Sequence, residues 1–86
     1  MVPKIKDIKV KDDYKLIVLF DNNQAKEYDA KMLIERHKSF HVLKDKMIFS
    51  MVKVDAGGYG ISWNDDIDLS EYELWKNGRD VENVMN

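Results

Sequence analysis

The sequence predicts a small α+β domain, built from antiparallel β-hairpins and two short helices in the order β-β-β-α-β-β-α. Three observations carry that prediction. Apolar and polar residues alternate through Ile8 to Lys11 and a doubly apolar run fills Leu16 to Phe20; the turn-forming pairs Asn22-Asn23 and Gly57-Gly58 each lie between apolar runs; and Ser70-Glu71-Tyr72-Glu73 has the pattern of a helix capping box.

Ile8 and Val10 alternate with Lys9 and Lys11, as in a half-buried strand, while Ile5 sits on the opposite parity and suggests a bend or a late strand start. In the next strand Tyr14, Leu16, Val18 and Phe20 form one face. Ile17 and Leu19 make the other face apolar too, as expected of a central strand covered on both sides. Asn22 and Asn23 both tolerate positive φ, which suits a two-residue hairpin loop. That loop sets Phe20 opposite Ala25 and Ile17 opposite Tyr28, with Ala25 to Asp29 as the returning strand. Asp29 is placed to cap a helix whose Ala30, Leu33, Ile34 and His37 share one face, ending near Lys38-Ser39.

Met47 to Val54 and Tyr59 to Trp63 read as a second hairpin around Asp55-Ala56-Gly57-Gly58. Its facing pairs, Val54 with Tyr59, Val52 with Ile61 and Ser50 with Trp63, share the core side with Ile48. Met47, Phe49 and Met51 then form an apolar row on the opposite side, which calls for a helix, the tail or another subunit to cover it. Ser70 caps the last helix, Leu69 can staple to Leu74, and Tyr72 and Trp75 share its sheet-facing side. Gly78 ends it. One domain over residues 1–78 is followed by a tail, residues 79–86, in which Val81, Val84 and Met85 suggest a helical extension or disorder.

The chain has 86 residues, 14 Lys plus Arg, 16 Asp plus Glu and no Cys. At this length folding hides only about 60% of the unfolded surface, so one small core is expected and a second domain has no room. The absence of Cys excludes a disulfide framework, a thiolate metal site and a cysteine nucleophile. Met1-Val2-Pro3-Lys4 leads directly into a charged segment without the apolar region of a signal peptide, and no apolar stretch approaches the roughly 20 residues that span a bilayer. A cytoplasmic protein without membrane attachment is expected. The charge is uneven: residues 1–54 carry 12 basic and 8 acidic side chains, residues 55–86 carry 2 and 8. An acidic surface of that kind favours a basic protein partner over a phosphate backbone.

Pro3, Ile5, Val10, Tyr14-x-Leu16-x-Val18-x-Phe20, Tyr28-Asp29, Phe40, Asp45, Phe49, Val52-x-Val54-Asp55, Gly60-Ile61-x-Trp63, Ile67-Asp68-Leu69 and Leu74-Trp75-x-x-Gly78 together resemble the small bacterial domain-of-unknown-function family 2442. The resemblance covers about residues 3–78 and rests on spaced positions across the whole domain. One departure is Asn23, where that family often has Gly. The resemblance implies a compact α+β domain with hairpins and short helices, no established reaction and no catalytic residue to carry across. It also implies a place in compact two-gene modules, in the manner of toxin and antitoxin pairs. Some longer relatives carry an additional helix-turn-helix; only eight residues follow Gly78 here, so no appended DNA reader is expected.

The residue patterns that could carry chemistry mostly have simpler readings. His37 and His41 are four apart, but a zinc site needs further ligands and Ser39 interrupts the helix between them, so no metal is expected. Asn64-Asp65-Asp66-Ile67-Asp68 begins like a calcium loop, yet Leu69 stands where Gly is required and Trp75 where the bidentate Glu belongs. Gly57-Gly58-Tyr59-Gly60 lacks the helix and the Lys-Ser/Thr pair of a phosphate loop, leaving a hairpin turn. Ser39, Ser50, Ser62 and Ser70 have no nucleophile context, and no cofactor is indicated. Trp63, Trp75, Tyr59 and Tyr72 are expected to supply core bulk.

The expected function is therefore non-catalytic binding of another protein, through either the acidic residues Asp65, Asp66 and Asp68 or the apolar row Met47, Phe49 and Met51. The partner implied by a two-gene module is a small basic neighbour-gene product. The alternative is a homodimeric or nucleic-acid-binding regulator using the basic strand residues Lys4, Lys6, Lys9, Lys11 and Lys15, although alternating Lys is also how edge strands avoid unwanted pairing. Nucleic acid is the less favoured partner, because Asp7, Asp12 and Asp13 dilute that stripe.

Overall fold

The computed structural model describes residues 1–82. Its architecture is α+β, two antiparallel sheets and three short helices sharing one core. The first sheet has the order β1-β2-β3-β7, from β1 (Ile5–Lys11), β2 (Lys15–Phe20), β3 (Ala25–Asp29) and β7 (Arg79–Val81). The second has the order β4-β5-β6, from β4 (Lys53–Val54), β5 (Gly60–Asn64) and β6 (Ile67–Ser70). Helices α1 (Lys31–Arg36), α2 (Lys46–Phe49) and α3 (Glu71–Asn77) and a 3₁₀ segment, Lys38–Lys44, connect them.

β2 is central and buried on both faces, as its doubly apolar sequence predicts. Leu16, Val18 and Phe20 point into the main core, where they meet Tyr28 of β3, Ile34 of α1, Leu43, Phe49 of α2, Ile61 and Trp63 of β5, and Leu74 of α3. Ile17 and Leu19 pack on the other face with Ala25, and Val81 of β7 lies against them.

The first hairpin differs from the expected two-residue loop. Asn23 N–H donates to the Phe20 carbonyl and Phe20 N–H to the Gln24 carbonyl, both at 2.9 Å, while Asn23 has φ 71°. This is a three-residue loop, Asp21-Asn22-Asn23, with Asn23 as the left-handed bulge residue. Leu19 therefore faces Ala25 and Leu16 faces Tyr28. Because strand side chains alternate, the one-residue slip moves Tyr28 from the Ile17 face to the core face.

The second hairpin is shorter than expected. Residues 46–49 form α2, whose N-cap Asp45 accepts from Met47 N–H at 2.9 Å. Only Lys53 and Val54 remain as strand, and Val54 faces Ile61. The turn closes with Asp55 N–H donating to Gly60 O at 2.9 Å. Gly58, φ 75°, lies so close to β1 that an added Cβ would stand 2.4 Å from the Ile5 carbonyl oxygen.

Ser70 caps α3 as expected, its Oγ accepting from Glu73 N–H at 3.1 Å. Glu73 does not complete the box; its carboxylate accepts from Tyr28 Oη and Asn77 Nδ2, each at 2.9 Å. Trp75 meets the edge of Phe20 with ring centres 5.0 Å apart, whereas Tyr72 faces outward. The chain after Gly78 continues as a strand rather than a helix, with Ala25 opposite Val81 and Glu27 opposite Arg79. Without β7 one edge of β3 would lack its ladder partners, and that main-chain requirement overrides the weak helical spacing. Val84 and Met85, the rest of the expected extension, lie outside the described residues.

Candidate binding surfaces

Two surfaces gather the residues that the sequence singles out. The first is the corner between α2 and the β5–β6 turn. Trp63 Nε1 donates to the Phe49 carbonyl at 2.8 Å, and the two rings stack with centres 5.9 Å apart. Phe40 meets Trp63 edge-on at 6.4 Å and Tyr14 meets Phe49 edge-on at 5.3 Å. This aromatic cluster anchors α2 beside the hairpin. Met47, Phe49 and Met51 consequently do not form the row expected of a strand: Phe49 is buried, while Met47 and Met51 are 79% and 67% exposed. Helical curvature and the turn that follows separate them, since residues two apart on a helix do not share a face.

Just beyond Trp63, Asn64 Oδ1 accepts from the main-chain N–H groups of Asp66 and Ile67, at 2.8 and 3.0 Å, which tightens the β5–β6 turn. Asp65 and Asp66 project from this turn and Asp68 follows on β6, all three exposed. Asp68 stands opposite Ser62 and so on the face of the hairpin away from Trp63, while the two exposed methionines flank the buried Phe49 that Trp63 holds.

The second surface is the outer face of the four-stranded sheet, whose side chains stand in three rows across the strands. One row is Lys11, Lys15 and Asp29; the next is Lys9, Ile17, Glu27 and Arg79; the third is Asp7, Leu19, Ala25 and Val81. Glu27 binds both edge strands, with Lys11 Nζ at 3.2 Å and Arg79 at 2.8 Å. The Arg79 hydrogen bond, followed by that of Lys11, holds the Glu27 carboxyl below the usual carboxylate range. Ile17 floors a concavity of about 740 Å³ that also reaches the β1–β2 turn.

The basic stripe of the sequence is thus divided. Lys9, Lys11 and Lys15 share this face, but Lys6 sits at a register shift between Ile5 and Asp7. Lys4 lies elsewhere, 4.2 Å above the ring of Tyr59 and 3.9 Å from Glu71. Arg79 belongs to the face although the residues after Gly78 read as a tail, and Glu27, on the expected returning strand, gains its role only from the pairing with Lys11 and Arg79. Three residues of β7 are too few for a strand pattern to emerge.

His37 is exposed beyond the end of α1, and the His41 ring nitrogen lies 3.3 Å from the Glu35 carbonyl. Ser50 Oγ donates to the Met47 carbonyl at 2.7 Å and Ser62 Oγ to Asp55 at 2.6 Å. Among the described residues no helix is long and apolar enough to cross a membrane.

These features define a small α+β domain in which two antiparallel sheets close on one aromatic-rich core and leave charged surfaces outside. The chain belongs to the family described as "Protein of unknown function (DUF2442)", whose model matches residues 5–80. No curated protein and no solved structure matches it.

Proposed function

We propose that this chain is a non-catalytic module that binds another protein through the corner between α2 and the β5–β6 turn. The observation that carries the reading is the pair Met47 and Met51, 79% and 67% exposed beside a buried and hydrogen-bonded Phe49. The core is closed without them. Flexible, unbranched methionines adapt well to a partner surface, and Asp65, Asp66 and Asp68, exposed on the β5–β6 turn and on β6, favour approach of a basic one. The hydroxyls of Ser50, Ser62 and Ser70 engage main-chain or carboxylate groups of the fold, which supports a role without nucleophilic catalysis. In a two-gene module the partner would be the small basic product of the neighbouring gene.

The test is capture of partners by the tagged chain from its native lysate after nuclease treatment, beside Met51→Lys and an Asp65→Lys, Asp66→Lys double variant. The expected result is a stoichiometric protein retained by the parent chain, lost with Met51→Lys and held more weakly by the acidic-site variant as salt rises. Equal capture by all three would remove this surface from consideration. Material lost on nuclease treatment would instead indicate nucleic acid, and a dimer in light scattering that Met51→Lys dissociates would indicate self-association.

A further inference from the structure

We infer that the concavity beside the β1–β2 turn binds a small organic anion, a phosphate monoester or carboxylate whose charged group sits between Lys9 and Lys15 and whose apolar body lies over Ile17 and Val81. This surface is separate from the proposed protein-binding corner, and the inference does not depend on that reading. Two departures from regular strand and turn chemistry lie beside the concavity. Lys11 and Lys15 stand directly opposite each other on β1 and β2, a like-charge pairing that costs stability. Asp13 and Tyr14 both hold φ 62° in the β1–β2 turn; Asp13 walls the concavity, while Tyr14 turns to the core side, its ring edge-on to Phe49 and its hydroxyl donating to the Lys44 carbonyl. Strain and unfavourable pairing concentrated at one place are characteristic of sites shaped for a ligand.

The concavity is lined by four basic and four acidic side chains, and Lys9 and Lys15 are the two lining cations outside its ion pairs. Lys11 and Arg79 are both committed to Glu27, and Asp13 to Lys31 at 3.0 Å. Asp29, opposite Lys15, turns its carboxylate to Lys31 N–H at 2.9 Å. Lys15 acts on Asp13 at longer range, and neither Lys9 nor Lys15 forms an ion pair with another described residue. The floor between them is Ile17, directly opposite Lys9, with Val81 beyond it. A volume of about 740 Å³ suits a molecule of small-metabolite size. Asp12 and Glu82 also line the concavity, so a long polyanion such as a nucleic-acid backbone would meet repulsion where one isolated anionic group would not.

Titration of the full chain with phenyl phosphate, benzoate and inorganic phosphate, followed by NMR, tests this. Saturable shifts centred on Lys9, Lys15, Ile17 and Val81 are expected with one or both aromatic anions, and inorganic phosphate should bind about tenfold more weakly for lack of an apolar body. Lys9→Gln and Lys15→Gln should each weaken binding by about tenfold or more, whereas Lys53→Gln on β4 should leave it unchanged. Relief of the like-charge pair predicts that Lys15→Gln melts no lower than the parent, and Lys9→Gln provides an independent readout. Absence of saturation with both aromatic anions would overturn the proposal. So would equal losses in Lys53→Gln, inorganic phosphate binding as tightly as the aromatic anions, or a duplex oligonucleotide displacing them with steep salt dependence.

Discussion

Trp63 donates its indole N–H to the Phe49 carbonyl at 2.8 Å while the two rings stack, so one residue of β5 both terminates and covers α2. The Phe49 carbonyl lies near the end of a helix of only four residues, where no intrahelical donor is available to it. Trp63→Phe keeps an aromatic ring but removes the donor. It should lower stability by about 2 kcal/mol, from the orphaned acceptor and the lost ring area, read as a lower urea midpoint with unchanged slope.

Gly57 and Gly58 both have positive φ, 80° and 75°, yet their substitution should have unequal effects. A Cβ on Gly57 meets the ring of the exposed Tyr59, which can swing aside; one on Gly58 meets main-chain atoms of Ile5. Gly57→Ala is expected to cost about 1 kcal/mol, the price of left-handed backbone alone, and Gly58→Ala upwards of about 3 kcal/mol because β1 must move. Thermal melts of the two variants side by side provide the measurement.

Asn23 holds the left-handed position of the first hairpin at φ 71°. Asn23→Gly should be tolerated within about 1 kcal/mol, since glycine adopts this geometry freely, whereas Asn23→Val should destabilise by about 1–2 kcal/mol. If both variants melt together with the parent, the bulged register is not what sets the loop.

Tyr28 is buried, and burial followed by its hydrogen bond to Glu73 pushes its phenol well above the ordinary value. The unfolded chain therefore releases this proton first as pH rises. Stability from the neutral phenol is complete below about pH 10, the unfolded value, and declines above it towards the raised folded value. Denaturant midpoints across that range should fall for the parent chain, and Tyr28→Phe should flatten the part of the decline that belongs to this group.

The local signals in the sequence were of unequal strength. β2 is legible because Leu16, Ile17, Val18, Leu19 and Phe20 are apolar on both parities, and only a central strand buries both faces. The α3 start is legible because a Ser N-cap acts through its own neighbouring N–H groups. The stretch Met47 to Met51 misleads, since an apolar run fits strand or helix equally and Asp45 as an N-cap is the only local cue separating them. The basic stripe was visible as a stripe, but its division between two places followed from the register shift near Ile5 and from the attraction of Lys4 to Tyr59.

Residue order alone settles the α+β class, the central strand, the presence of both turns and the capped last helix, because each depends on groups within a few positions of one another. Long-range hydrogen bonding decides the rest. The slip that turns Tyr28 inward is completed by Glu73, 45 residues away, and β7 exists because β3 offers an open edge to Arg79–Val81. The two candidate surfaces likewise join residues distant in the chain, Phe49 with Trp63 and Lys9 with Arg79, through the Trp63–Phe49 bond and sheet pairing. A chain written in sequence holds no such neighbourhoods until its backbone polar groups find partners away from water.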